Sequence, residues 1–159
     1  MVWLPAPVVL ALLLAVTPPS ASQALPADLE PLVKSLQRYG FVVRFEPPPV
    51  RGVYGLFEGR SRTLWISPIS FALGIGRQTL LHEAAHAVQS CGPGGMGPVG
   101  WRLPLPAVVR QEIKGITYIA YGHGNRLVER EAFALQAQPN AVSLLIQGLA
   151  QRCKGRLGR

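Results

Sequence analysis

Residues 80–88 read Leu80-Leu81-His82-Glu83-Ala84-Ala85-His86-Ala87-Val88, an HExxH motif with apolar residues on both sides. The pattern predicts one helix from Arg77 to Ser90. Residues four apart on a helix lie on the same face, so His82 and His86 can give two imidazole nitrogens to one Zn²⁺. Buried polar side chains need a partner, because burial without one is costly. The stretch therefore predicts a buried, metal-binding helix.

Glu83 follows the first histidine directly. At that position it is an awkward ligand for a metal held by His82 and His86, but it can take a proton from a water at the metal. This is the active-site layout of a zinc metallopeptidase. A chance match on a surface helix is the alternative, and the apolar flanks disfavour it.

The amino-terminal residues are uncharged and largely apolar. Residues 1–24 contain no charged side chain, and an apolar run from about Pro7 to Val16 precedes the small residues Ser22 and Ala24. This layout predicts a secretory signal peptide over residues 1–24, although no Lys or Arg precedes the apolar run. An uncleaved anchor is the alternative, but the run is shorter than the ~20 apolar residues that span a bilayer.

A cleaved signal peptide leaves one domain over residues 25–159, secreted or periplasmic and without a stable membrane span. The chain contains two cysteines, Cys91 and Cys153. In an exported chain two thiols are more often bonded than free, so we expect a disulfide between them. Two buried free thiols are the alternative.

The charge of the chain is strongly positive. Lys and Arg number 16 against 8 Asp and Glu, a formal net charge of +8. The basic residues are scattered along the sequence, and nothing resembles a nucleic-acid-binding module. We expect a peptide or protein substrate as the partner and no nucleic acid; the oligomeric state stays open.

The rest of the chain predicts an α+β fold, with a small three-stranded sheet packed with about five helices. β-Branched and aromatic residues predict strands over 41–45, 52–57 and 63–67, and the turn residues around Gly59 join the last two strands as a hairpin. Apolar residues at helical spacing predict further helices. These cover residues 28–39, 107–121, 127–138 and 140–152.

A catalytic zinc held by three side chains needs one ligand besides the histidines. The candidates are Glu129 and Glu131, on the helix predicted over 127–138. Helical geometry places Glu131 among apolar neighbours, whereas Glu129 points away from them. A carboxylate on an apolar face is costly unless a cation meets it. Glu131 is therefore favoured over Glu129 as the third metal ligand.

The order of these features resembles the small minimal gluzincins, including the ImmA/IrrE-like peptidases. Those proteins share a helix, a short sheet, an HExxH helix and a later helix that bears a glutamate ligand followed by Ala, here Glu131-Ala132. The resemblance implies a zinc-peptidase core and peptide-bond hydrolysis, with Zn²⁺ polarising the carbonyl and Glu83 as general base. It also implies that substrate lies along residues 63–67 as an added strand.

Two departures from the gluzincin pattern limit the resemblance. No polar residue stands four positions after either glutamate, where Phe133 and Leu135 lie, so side chains that support the ligands are unidentified. The signal peptide argues against the intracellular, repressor-cleaving role of some ImmA-like proteins.

A donor that stabilises the transition state is often needed besides the metal. Tyr118, Tyr121 and His123 are the candidates, but each also reads as an ordinary core or loop residue, and none is assigned to the site. The main hypothesis is an exported zinc peptidase, and the alternative is a non-catalytic zinc- or peptide-binding module. The intact Glu83 favours the peptidase, since a binding module needs no base.

Overall fold

The computed structural model of the protein describes residues 25–111, 113 and 126–156, which form the expected α+β fold. Predictions for the signal peptide, for most of the 107–121 helix and for Tyr118, Tyr121 and His123 lie outside the described residues. The strands are β1 (Val42–Arg44), β2 (Gly55–Glu58) and β3 (Thr63–Ile66). The helices are α1 (Glu30–Arg38), α2 (Pro68–Ala72), α3 (Gly76–Gln89), α4 (Arg126–Gln136) and α5 (Ala141–Arg152). Residues 107–111 are also helical, and single 3₁₀ turns span Ala27–Leu29 and Lys154–Arg156.

The sheet has the strand order β1-β3-β2. β2 and β3 form the predicted antiparallel hairpin, with Leu56 opposite Trp65 and Phe57 opposite Leu64. β1 runs parallel to β3 on its other side. Both backbone edges of β3 are therefore paired, and the expectation that substrate adds along residues 63–67 is wrong. Among the described strands, the outer strands β1 and β2 each keep an unpaired edge, and β2 is the outer strand that packs against α3.

The predicted metal-binding helix is α3, and it lies at the centre of the fold. It contacts β2 and β3 on one side and α2, α4 and α5 on the others. Small alanines let these elements approach closely. The apolar residues that flank the HExxH motif are at most 1 % exposed: Leu80, Leu81, Ala84, Ala85, Ala87 and Val88. The prediction of a buried helix is confirmed.

The apolar stripe of α1 packs against the carboxyl-terminal helix. Leu32 and Leu36 are fully buried, as helical spacing predicts, and α1 contacts α5. Asp28 lies in the preceding 3₁₀ turn and forms an ion pair with Arg77 of α3. No helix among the described residues is long and apolar enough to cross a membrane.

The predicted disulfide is present. Cys91 follows α3 and Cys153 follows α5, and their Cα atoms lie 5.2 Å apart. The bond closes a loop over a sequence separation of 62 residues. It therefore fastens the end of the central helix to the end of α5.

Replacing both cysteines with alanine is expected to lower the free energy of unfolding by about 4 kcal/mol. The disulfide restricts the unfolded chain, and a loop of this length regains about that much conformational entropy when the bond is removed. Denaturant unfolding of the mature protein measures the change. The wild type under reducing conditions should match the double variant. Equal stability of the oxidised and reduced wild type would contradict the prediction.

Candidate metal centre

Three side chains from two helices bring their donor atoms together. His82 and His86 come from α3 and Glu129 from the first turn of α4. The His82 Nε2 and His86 Nε2 atoms lie 3.1 Å apart. Glu129 Oε2 lies 3.2 Å from His82 Nε2 and 3.4 Å from His86 Nε2. The three donor atoms therefore form a nearly equilateral triangle.

The size of this triangle matches a metal site. Ligand atoms about 2.0–2.1 Å from a tetrahedral Zn²⁺ lie roughly 3.3 Å from one another. The three observed separations, 3.1 to 3.4 Å, are close to that value. His82, His86 and Glu129 could therefore hold a metal ion without rearrangement of their helices.

The packing of α3 against α4 places Glu129 here. Residues four apart on a helix share a face, so Phe133 lies on the face of Glu129. The Phe133 ring packs on the His82 ring with 4.5 Å between centroids. This ring contact restrains the His82 side chain and helps to align the two helices.

Glu131 lies outside the cluster, which corrects the choice made from the sequence. Its carboxylate is buried and accepts hydrogen bonds from the backbone amides of Val99 (2.7 Å), Gly100 (2.6 Å) and Trp101 (3.0 Å). Gln89 Nε2 donates a fourth, at 2.9 Å. Successive backbone amides form an anion-binding nest, so a buried carboxylate needs no cation here. Of the two glutamates, Glu129 is the one that contacts the imidazoles.

Glu83 lies beside the triangle but is not part of it. Its side chain is 8 % exposed, and the backbone amide of Phe57 in β2 donates a hydrogen bond to its carboxylate. Burial raises the pKa of Glu83 above its ordinary value, and the neighbouring His82 and His86 offset this only in part. A raised pKa makes the carboxylate a stronger base.

The charges of the three clustered groups are coupled. Burial by itself would raise the pKa of Glu129, but hydrogen bonds from His82 and His86 outweigh it and lower the pKa to about 2. Burial would lower the pKa of His86, but the hydrogen bond and the negative charge of Glu129 outweigh it and raise the pKa. Glu129 is thus kept ionised, as a metal ligand must be.

The outward-facing nitrogen of each histidine contacts a glutamine. His86 Nδ1 lies 2.8 Å from Gln89 Oε1, and His82 Nδ1 lies 3.0 Å from Gln136 Oε1. Neither glutamine lies four positions after a glutamate, where the gluzincin pattern predicts a supporting residue. Gln89 could have been found as the polar residue directly after the apolar pair Ala87 and Val88, and Gln136 as the residue two turns after Glu129.

The cluster lies at the bottom of a cleft of about 300 Å³. The cleft is lined by the first three residues of β2 and by Val128 and Glu129 at the start of α4. Its polar floor consists of Glu83 and the three donor side chains. Its walls are largely apolar: Val53, Gly55, Leu56, Phe57, Met96 and Val128.

Gly55 lets β2 approach the cleft floor closely. A Cβ atom at this position would lie 2.6 Å from both Glu83 Oε1 and Thr79 Cγ2. Gly55→Ala is therefore expected to push β2 away from α3 and to cost about 1–3 kcal/mol of stability. Thermal or denaturant unfolding measures this.

Gly59→Ala, in the turn of the same hairpin, is the matched control, because its Cβ would meet only Phe57 at an ordinary 3.6 Å. Equal stability of the two variants would show that the approach of β2 to Glu83 is not tight.

Comparisons with protein-family models, curated proteins and solved structures find no match to this chain. The chemistry of the site must therefore carry any statement of function.

Proposed function

We propose that the protein is an exported zinc-dependent peptidase. The observation that carries the proposal is the triangle of His82, His86 and Glu129, with the buried carboxylate of Glu83 beside it. A structural zinc site is closed by four protein ligands, whereas a catalytic site keeps a position open. Three donors at the bottom of an open cleft fit the catalytic class.

The donor set favours Zn²⁺ among common metals. Two imidazoles and one carboxylate are the ligand set of several zinc hydrolases, and oxygen-preferring ions such as Ca²⁺ and Mg²⁺ rarely take imidazole. When bound, Zn²⁺ would make a water more acidic and polarise the carbonyl of the scissile bond.

The role proposed for Glu83 is general base. Its carboxylate would take the proton of the attacking water and later give it to the leaving amine. The Phe57 amide holds the carboxylate in place, and burial increases its basicity. A base positioned in this way distinguishes a peptidase from a site that only stores metal.

The unpaired edge of β2 is the proposed position for substrate. An extended peptide can add to an exposed sheet edge through backbone hydrogen bonds. Residues 55–57 line the same cleft as His82, His86 and Glu129, whereas β3 has no free edge. The substrate strand proposed here is therefore β2 and not residues 63–67.

Export of the protein is supported by the disulfide. Stable disulfides form in oxidising compartments and are rare in the cytosol. The Cys91–Cys153 bond agrees with the signal-peptide pattern of residues 1–24. We propose a secreted or periplasmic enzyme, related in its site to the gluzincin peptidases.

The test combines metal analysis with digestion. The mature protein should bind one Zn²⁺ per chain and should cleave a peptide library, and chelation should stop the cleavage. One bound Zn²⁺ without hydrolysis of any peptide would favour the alternative, a zinc- or peptide-binding module. Absence of tight metal binding would contradict both.

A further inference from the structure

The Gln89 side chain contacts three polar groups: the Val128 carbonyl, the Glu131 carboxylate and the His86 ring. The side chain is fully buried on the last turn of α3. Its Nε2 atom donates hydrogen bonds of 2.9 Å to the Val128 carbonyl oxygen and to Glu131 Oε2. Its Oε1 atom lies 2.8 Å from His86 Nδ1. A buried amide with a partner at each end is held in one orientation.

The orientation of this amide is determined by its neighbours. The Val128 carbonyl can only accept a hydrogen bond, and the Glu131 carboxylate already accepts three from backbone amides. The NH₂ group of Gln89 must therefore face these two acceptors. Its carbonyl oxygen then faces His86, and it too can only accept.

For neutral His86, this orientation of the amide favours a proton on Nδ1. Two acceptors 2.8 Å apart would repel each other, and His86 Nε2 is farther from its nearest carboxylate oxygen, 3.4 Å from Glu129 Oε2. A proton on Nδ1 leaves the lone pair of Nε2 directed at Glu129 and His82. That nitrogen is then ready to bind a metal.

We propose that Gln89 is a positioning residue that keeps the His86 proton on Nδ1, and that Glu131 holds Gln89 in the orientation this requires. Glu131 also binds the backbone of residues 99–101. The loop after α3 is thereby connected to a metal ligand through two buried side chains. The inference rests on the proposed function only in taking the metal to be Zn²⁺.

Gln136 provides a matched comparison. It offers its Oε1 atom to His82 at 3.0 Å, as Gln89 does to His86, but from α4. A methionine at either position preserves the length of the side chain and removes the amide. Gln89→Met should therefore affect His86, and Gln136→Met should affect His82 and leave His86 unchanged.

The experiment reads the protonated nitrogen of each histidine from ¹⁵N NMR spectra of the metal-free protein, at alkaline pH where the imidazoles are neutral. In the wild type we expect the His86 proton on Nδ1. In Gln89→Met it should move to Nε2, where Glu129 can accept it. Gln136→Met should keep it on Nδ1. Zinc affinity should fall about ten- to a hundredfold in Gln89→Met.

A wild-type spectrum with the His86 proton on Nε2 would overturn the proposal. This measurement tests the proposal even if Gln89→Met does not fold. An unchanged tautomer in a folded Gln89→Met would overturn it too. The wild-type tautomer is read without metal or substrate. A protein with the proton on Nδ1 that binds no zinc would thus contradict the proposed function and support the positioning role.

Discussion

Glu83→Gln protein is expected to hydrolyse peptides about a hundred to ten thousand times more slowly than the wild type while binding the same amount of zinc. The amide has the shape of the carboxylate, and its oxygen can still accept the hydrogen bond from the Phe57 amide. It cannot take a proton from water. The loss should therefore appear in kcat, with little change in stability or in metal content.

Single-turnover and steady-state rates on a cleaved library peptide, measured beside zinc content, test this expectation. Glu46→Gln is the control, because that exposed glutamate pairs with Arg44 and neither residue lines the cleft; the activity of this variant should equal that of the wild type. Wild-type rates in Glu83→Gln would remove Glu83 from the mechanism. Loss of zinc along with activity would instead make Glu83 part of the metal site.

Glu129→Ala is expected to weaken zinc binding about a hundred- to a thousandfold, since each ligand of a protein zinc site contributes a share of a total of roughly 10–16 kcal/mol. His82→Ala should have an effect of similar size, because both substitutions remove one corner of the donor triangle. Competition with a chelator of known affinity measures the change.

Glu131→Gln provides the contrast to Glu129→Ala. It should weaken zinc binding by no more than about tenfold, as expected for a residue that acts on a ligand through another side chain. Its main effect should be lower stability, because one of the two Glu131 oxygens that accept hydrogen bonds from the backbone amides of residues 99–101 is replaced by an NH₂ group. A larger loss of zinc in Glu131→Gln than in Glu129→Ala would restore Glu131 as the ligand.

The parts of the fold that follow from local patterns could be predicted from the sequence. The buried helix α3, the β2–β3 hairpin and α5 are each specified by spacing, turn residues and apolar periodicity within a few residues. The Cys91–Cys153 pair could be predicted from the signal-peptide pattern of residues 1–24 together with the presence of two cysteines. These features can be predicted without knowing which elements pack against them.

The choice between Glu129 and Glu131 could not be made from α4 by itself. Helical geometry correctly places Glu131 on a buried face, but burial of a carboxylate has more than one solution. Here the solution is a set of backbone amides from residues 99–101, some thirty positions earlier in the chain. No side-chain pattern marks them, because backbone amides carry no sequence signal.

The central position of β3 in the sheet could not be predicted from the sequence for a similar reason. The hairpin is local, but the parallel pairing of β1 with β3 depends on how the chain returns after residues 45–54. That pairing occupies the edge of β3 and leaves β2 beside the cleft. The sequence therefore predicts the hairpin correctly, but not which of its two strands has a free edge.

The disulfide and the donor triangle each connect α3 to another helix, but to a different one. The first links α3 to α5, and the second brings α3 together with α4. The covalent link to α5 does not depend on metal, whereas a bound ion would add to the contact of α3 with α4. We therefore expect the metal-free protein to keep α3 and α5 packed together, so that an ion would bind to a helix that is already in place.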